Sequence, residues 1–94
     1  MAQFEVQEIS RLPSRYRLIV AGTVVDGTVK QGQKIQFPLQ EGLYCSKVVT
    51  SVEYLDRPTF KGSLVALVCN EYDPQEADVY ATLCPPGTVV SVND

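Results

Sequence analysis

Apolar and polar residues alternate along most of this chain with a period of two, and β-branched residues are frequent. This pattern is typical of strands with one buried face, because successive side chains of a strand point to opposite sides of the sheet. No stretch carries apolar residues at the spacing of an amphipathic helix. The sequence therefore predicts an all-β protein.

Two strands are predicted near the N-terminus. The first begins around Phe4 and ends before Pro13, since proline cannot donate to a strand ladder. In the second, which extends to about residue 25, alternation turns Leu18 inward and turns Arg15 and Arg17 outward.

Three glycines, Gly22, Gly27 and Gly32, recur at intervals of five residues in the next segment. We expect Gly22 to bend the second strand, and the pair Asp26-Gly27 to form a type I′ hairpin turn. Gly32 would then begin a short strand that ends before Pro38. A phosphate-binding loop is the functional alternative, but the segment lacks the GxxxxGK[ST] pattern and no helix is predicted after it.

The C-terminal half predicts a long strand over residues 43–55 and a second strand over residues 64–69 that is apolar on both faces. An acidic connection follows, with at most one helical turn at residues 74–77. Two more strands are predicted at residues 79–84 and 88–92. In the long strand, we expect the core face to consist of Val48, Thr50, Val52 and Tyr54.

Strands repeated at intervals of about ten residues favour a β-barrel or a β-sandwich. A barrel has the advantage that closure removes exposed strand edges. The 94 residues contain no Pro/Gly/Ser-rich linker, so we expect a single domain spanning 1–94.

The chain has no apolar run long enough to span a bilayer and no secretory pattern at its N-terminus. These features predict a cytoplasmic protein with no membrane partner. The initial Met and the short polar ends favour a complete gene product.

The chain contains three cysteines and no histidine. Cys45, Cys69 and Cys84 are odd in number and widely spaced, which favours buried thiols outside disulfides, with a reactive thiol as the alternative. The lack of histidine excludes Ser-His and Cys-His nucleophilic sites and histidine-ligated metals.

Charge is distributed unevenly along the chain. Residues 1–61 hold all eight basic residues and six acidic ones, whereas residues 62–94 hold five acidic residues and no Lys or Arg. Because Lys and Arg contacts to phosphate dominate nucleic-acid affinity, a chain of net charge −3 is a poor candidate for strong unaided binding of RNA or DNA. A local basic patch remains open as an alternative to an evenly solvated mixture of charges.

Five short motifs, taken in order along nearly the whole chain, resemble the second domain of the translational GTPases, the family of elongation factor Tu, elongation factor G and bacterial initiation factor two. The motifs are Phe4-Glu5-Val6, Val20-x-Gly22-x-Val24 with Gly27, Lys30 and Gly32, Val49-Thr50-Ser51-Val52-Glu53, Lys61-Gly62 with 64–67, and 83–89. The resemblance implies a closed six-stranded antiparallel β-barrel. It implies no GTPase, because the P-loop and the guanine-specificity motif of the family's nucleotide domain are missing from these residues. We therefore expect no cofactor and no nucleotide bound by this chain alone.

In elongation factor Tu, the second domain helps to hold the aminoacylated end of tRNA with an acidic, a basic and an amide side chain. Carried over by position, the acid falls on Glu53, which matches. The basic position falls near Asp56, with Arg57 one residue away, and the amide position falls on Leu64, which departs from the pattern. One matching group of three does not build that pocket.

The resemblance leads to the prediction of a non-catalytic binding module that contacts RNA, the ribosome or a translation-related protein. Arg15 and Arg17, with Lys30 and Lys34, are the basic side chains best placed to reach an RNA backbone. The alternative is a protein–protein adaptor or an oligomeric barrel whose acidic C-terminal third meets a basic partner.

An enzyme that uses acidic pairs is a third and weaker hypothesis. Its candidate carboxylates are Glu53 with Asp56, or Asp73 with Glu76 and Asp78.

Overall fold

In a computed structural model of the chain, the described residues are 2–12, 17–40, 42–59, 62–70 and 75–94. The elements within these ranges are β1 (Ala2–Leu12), β2 (Arg17–Asp26), β3 (Lys34–Gln40), β4 (Leu43–Thr59), β5 (Gly62–Asn70), α1 (Glu76–Leu83) and β6 (Val89–Asn93).

The six strands form a closed antiparallel barrel with the order β1-β2-β5-β4-β3-β6. The closed six-stranded antiparallel barrel predicted from the sequence is therefore confirmed. Because every neighbouring pair is antiparallel, the connections between strands lie alternately at the two ends of the barrel. The connection that contains α1 lies at one end, and residues 27–33, which join β2 to β3, lie at the other. We call these the helix end and the loop end.

The barrel interior is filled by apolar side chains from all six strands. Those that are completely buried include Phe4, Val6, Leu18, Val20, Ile35, Phe37, Val49, Leu67 and Val92. β5 is buried on both faces over residues 64–67, which confirms the prediction from its continuous apolar run. β5 pairs with β2 on one side and with β4 on the other, and these three strands carry the candidate site.

The strand predicted at residues 79–84 is wrong, because these residues lie in and just after α1. Ala77, Tyr80 and Cys84 are spaced by three and four residues, all three are buried, and they pack into the core cluster. A helix of only eight residues offers too few turns for its apolar period to stand out from alternation. The helix therefore closes one end of the barrel where a further strand was expected.

The hairpin predicted at Asp26-Gly27 is also wrong, because β2 and β3 are separated in the sheet by β5 and β4. Gly27 and Gly32 do adopt positive φ angles of 79° and 95°. The connection they shape places Val29 in the core and donates a hydrogen bond from the Gly32 amide to the Val49 carbonyl, at 2.8 Å. The glycines thus shape a long connection that packs on the loop end.

At Gly22, the backbone of β1 leaves no room for a side chain on β2. A Cβ at Gly22 would lie 2.0 Å from the carbonyl oxygen of Glu5, which no side chain can tolerate. β1 bulges at this point, because its register with β2 shifts between Val6, the partner of Gly22, and Glu8. The lack of a side chain therefore permits the tight strand contact that curves the sheet.

The expected core face of β4 is wrong for Val48, near the start of the strand, and for Tyr54, which is 71% exposed. Val49 is fully buried and Lys47 is buried with it, whereas Val48 is 49% exposed. The register of β4 against β5 shifts between Val49 and Ser51, so a bulge moves the alternation by one residue, and Val52 again packs against the core. The prediction used one uninterrupted alternation over the whole strand. It was wrong because a bulge reverses the face of every residue on one side of it.

β3 continues past Pro38, where the sequence predicted its end. β6 pairs with β3 only over Lys34, Ile35 and Gln36. Pro38 therefore lies beyond the β6 ladder, at a position where its missing N–H group costs no hydrogen bond to that strand.

Candidate functional site

A groove of about 340 Å³ lies on the outer face of the barrel, across β2, β5 and β4. It is lined by Leu12, Arg17, Ile19, Ser51, Glu53, Ala66 and Val68. We call it the β5 groove, because β5 forms its middle.

Strand alternation explains why these side chains share one surface. On β2, Leu18 points into the core, so its neighbours Arg17 and Ile19 point outward. Ile19 is the cross-strand partner of Val68 on β5, and Val68 is in turn the partner of Ser51 on β4. Cross-strand partners lie on the same face of a sheet, so the apolar floor is continuous over three strands.

Charged side chains lie at two separated points of this apolar floor. The Arg17 guanidinium donates a hydrogen bond from Nη1 to the Oδ1 of Asn70, its β5 partner. Glu53 pairs with Ala66, which is four residues before Asn70 on β5. At ~3.3 Å per residue, the two pairing positions lie about 13 Å apart along the strands. The groove thus offers a cationic end, an apolar middle and an anionic side chain beyond it.

The structure brings two of the predicted site residues, Arg17 and Glu53, into one groove. Lys34 begins β3 at the loop end, and Lys30 lies in the connection before it. β3 is three strands from β2 in either direction around the barrel, so these two lysines lie on the far side from Arg17. The structure therefore does not bring Lys30 and Lys34 into one patch with Arg17.

Two other predicted residues lie partly or wholly outside the described structure. Arg15 falls outside the described residues. Arg57 lies within β4, four residues after Glu53, but its side chain is not among those described.

Sequence reasoning missed the apolar floor, which is formed by Leu12, Ile19, Ala66 and Val68. A signal for it was present, because the run at residues 64–69 is apolar on both faces, so one set of its side chains must face outward. That run was interpreted only as evidence of burial.

The cysteines do not form a second site. Cys69 and Cys84 are buried, as predicted, whereas Cys45 is half-buried. Burial raises the pKa of Cys84, and a thiol with a raised pKa holds little of the nucleophilic thiolate at neutral pH. The Sγ of Cys45 lies 3.1 Å from the hydroxyl of Tyr80.

Among the described residues, no group of three or more His, Cys, Asp or Glu side chains is arranged to hold a metal ion. Within the same ranges, no helix is both long enough and apolar enough to span a bilayer. The chain matches no family model, and comparisons with curated proteins and with solved structures also found no match.

Proposed function

We propose that this chain is a non-catalytic binding module, related to the second domain of the translational GTPases, that binds RNA on the ribosome through the β5 groove. The observation that carries the proposal is the presence of Arg17 and Glu53 in one groove with an apolar floor. The closed six-stranded antiparallel barrel is the architecture that the sequence resemblance implies. A cytoplasmic location is part of the proposal, because the proposed partner is a cytoplasmic ribosome.

The chemistry of the groove suits one nucleotide unit of an RNA strand with its phosphate, as distinct from a free nucleotide. A guanidinium carries five N–H donors in a planar fork, so the hydrogen bond to Asn70 leaves donors for a phosphate oxygen. The floor of Ile19, Ala66 and Val68 can pack against the apolar face of a base or ribose. Glu53 can accept a hydrogen bond from an amino group or a hydroxyl group.

The size and charge of the site limit how tightly RNA can bind. A volume of about 340 Å³ is at the lower end of the range of about 300–1,000 Å³ for small-ligand pockets, so the groove has room for about one nucleotide of an RNA strand. The chain has a net charge of −3, and Arg17 is the one basic residue among the described residues that line the groove. We therefore expect moderate affinity and a shallow salt dependence, with a logarithmic slope of about −0.7 for each phosphate contacted.

Co-sedimentation with ribosomes tests the proposal. The informative variant is Arg17→Glu, and the matched control is Lys34→Glu, which makes the same charge change on the opposite side of the barrel. We expect the fraction of protein that sediments with ribosomes to fall by at least about 80% in Arg17→Glu and to stay near the wild type in Lys34→Glu, because of these two residues only Arg17 lines the groove. If both variants sedimented with ribosomes to the same extent, the β5 groove would not be the binding surface. Retention that survives digestion of ribosomal RNA would instead favour the protein–protein adaptor.

A further inference from the structure

A side-chain contact at the cationic end of the β5 groove holds Arg17 in place. Arg17 and Asn70 are cross-strand partners on β2 and β5, so their side chains lie on the same face of the sheet. The Arg17 guanidinium donates a hydrogen bond from Nη1 to the Oδ1 of Asn70. Because a guanidinium is a rigid planar fork, this hydrogen bond restricts the directions in which its other donors can point.

The other groove residues next to Arg17 carry no charge. Leu12 is its cross-strand partner on β1, and Ile19 lies two residues further along β2 on the same face. Glu53 is the one acidic residue among the described residues that line the groove, and its pairing position on β5 is about 13 Å from that of Arg17 along the strands. Within the described part of the chain, no carboxylate forms an ion pair with Arg17.

An amide acts on a guanidinium differently from a carboxylate. A carboxylate at position 70 would hold the guanidinium as well but would neutralise its charge. The amide of Asn70 is a neutral acceptor, so it orients Arg17 and leaves the full positive charge for an anionic ligand. Arg17 is half-buried, so water and salt screen that charge less than they would screen a fully exposed one.

The strands β2 and β5 are held together independently of this side-chain contact. Arg17 is the first residue of β2 and Asn70 is the last residue of β5. Beyond this pair, the ladder continues through five further pairs, the last of which joins Gly22 to Val65. A change at position 70 therefore affects one end of the ladder, and the variants used below should fold.

We propose that Asn70 is a positioning residue, which holds the uncompensated guanidinium of Arg17 in the orientation that binds one phosphodiester group of an RNA strand. This inference rests on the proposed binding of RNA in the β5 groove. Arg17 supplies the charge, and Asn70 reduces the conformational freedom that Arg17 loses when the phosphate binds. Because the contact is to the backbone of the RNA, it does not depend on the identity of the base.

Fluorescence anisotropy with a labelled single-stranded RNA of about ten nucleotides tests the proposal, over a range of about 50 to about 300 mM KCl. Asn70→Asp keeps an acceptor for Arg17 but neutralises its charge. We expect this variant to bind the RNA at least about fivefold more weakly at the lowest salt concentration. Its logarithmic salt slope should be smaller in magnitude by about 0.7, because one phosphate contact is lost.

Asn70→Ala makes the complementary change, since it leaves the charge of Arg17 and removes the acceptor that orients it. We expect RNA binding to weaken by about threefold to tenfold at every salt concentration, which corresponds to the cost of immobilising one long side chain. The salt slope should stay at the wild-type value, because the phosphate contact is still made. A purely structural role of Asn70 would not separate affinity from salt slope in this way.

Gln36→Glu is the matched control. It makes the same change from amide to carboxylate on β3, which is three strands from β2. Gln36 also accepts a side-chain hydrogen bond, from the hydroxyl of Ser46, so the acceptor is kept in this variant too. We expect Gln36→Glu to change RNA binding less than about twofold, because the added charge is remote from the groove. Thermal melting of the three variants establishes that each is folded.

The role of Asn70 is wrong if Asn70→Asp keeps the affinity and the salt slope of the wild type, or if Asn70→Ala binds as tightly as the wild type. It is also wrong if the two variants lose affinity equally with the same slope. Arg17→Glu separates this inference from the proposed function. If Arg17→Glu weakens RNA binding and the two Asn70 variants do not, only the role of Asn70 fails, whereas wild-type binding by Arg17→Glu would overturn both.

Discussion

The ring of Tyr80 on α1 stacks on the ring of Phe37 on β3, with centroids 4.4 Å apart and planes inclined by 20°. This contact attaches the only helix of the described residues to the barrel wall and places it over the helix end. The hydroxyl of Tyr80 lies 3.1 Å from the Sγ of Cys45, so the same residue contacts both strands of the β3–β4 hairpin. The helix is thus part of the core.

We predict that Tyr80→Ala lowers the free energy of unfolding by about 3 kcal/mol, because it removes a buried aromatic ring and leaves a cavity. Tyr80→Phe keeps the stacked ring and loses only the hydroxyl contact, so its cost should be about 1 kcal/mol. Urea denaturation of the three proteins measures both differences. A loss of under about 0.5 kcal/mol in Tyr80→Ala would mean that α1 does not close the barrel.

Gly22→Ala should destabilise the protein by more than about 2 kcal/mol, because the added Cβ meets the Glu5 backbone at 2.0 Å. Gly32→Ala is the control, since a Cβ there meets nothing within 4 Å and adds only the strain of a φ angle of +95°. We expect it to cost about 1 kcal/mol. Thermal melting ranks the two variants, and the reverse order would contradict the close approach of β1 to β2.

Adjacent residues of β4 should respond in opposite ways to a charge. Val49→Asp places an unpaired carboxylate in the core and should cost more than about 3 kcal/mol or prevent folding. Val48→Asp, at a position 49% exposed, should change stability by less than about 0.5 kcal/mol. Expression of folded protein and urea denaturation distinguish the two. If Val49→Asp folded normally and Val48→Asp did not, Val48 would face the core, as uninterrupted alternation predicts, and the structure of β4 would be contradicted.

Alternation identified the strands, and the apolar run of β5 identified a strand buried on both faces. Alternation does not show where a bulge occurs. The predicted faces of Val48 and Val49 were therefore the reverse of those in the structure, where the register shifts before Ser51. It also does not distinguish a helix of two turns from a strand, which is why α1 was missed.

The candidate site was partly predictable for a related reason. Arg17 was identified because alternation on its strand turns it outward, and Glu53 was identified by position from the resemblance to the second domain of the translational GTPases. Whether they share a surface with Lys34 depends on the order of strands around the barrel. That order is set by long-range pairing, which local sequence patterns do not specify.

Burial of Cys84 should make stability depend on alkaline pH. Its pKa is raised by desolvation, so the unfolded chain releases the thiol proton at a lower pH than the folded chain does. The stability associated with this thiol is therefore fully present below the ordinary thiol pKa and is lost as the pH rises through and above it. The melting temperature should fall more steeply above about pH 9 in the wild type than in Cys84→Ala. Parallel curves for the two proteins would contradict the assigned burial.

The measurement that tests the central claim most directly is an NMR titration of the ¹⁵N-labelled chain with short single-stranded fragments of ribosomal RNA. The account predicts that the amide shifts concentrate on the β5 groove, at Arg17, Ile19, Glu53 and Val68, and that they are absent from Lys34 at the loop end. The Arg17→Glu variant should show the same dispersed spectrum without these shifts. Shifts centred on Lys34, or no shifts when ribosomes nevertheless retain the protein, would contradict binding of RNA by this groove.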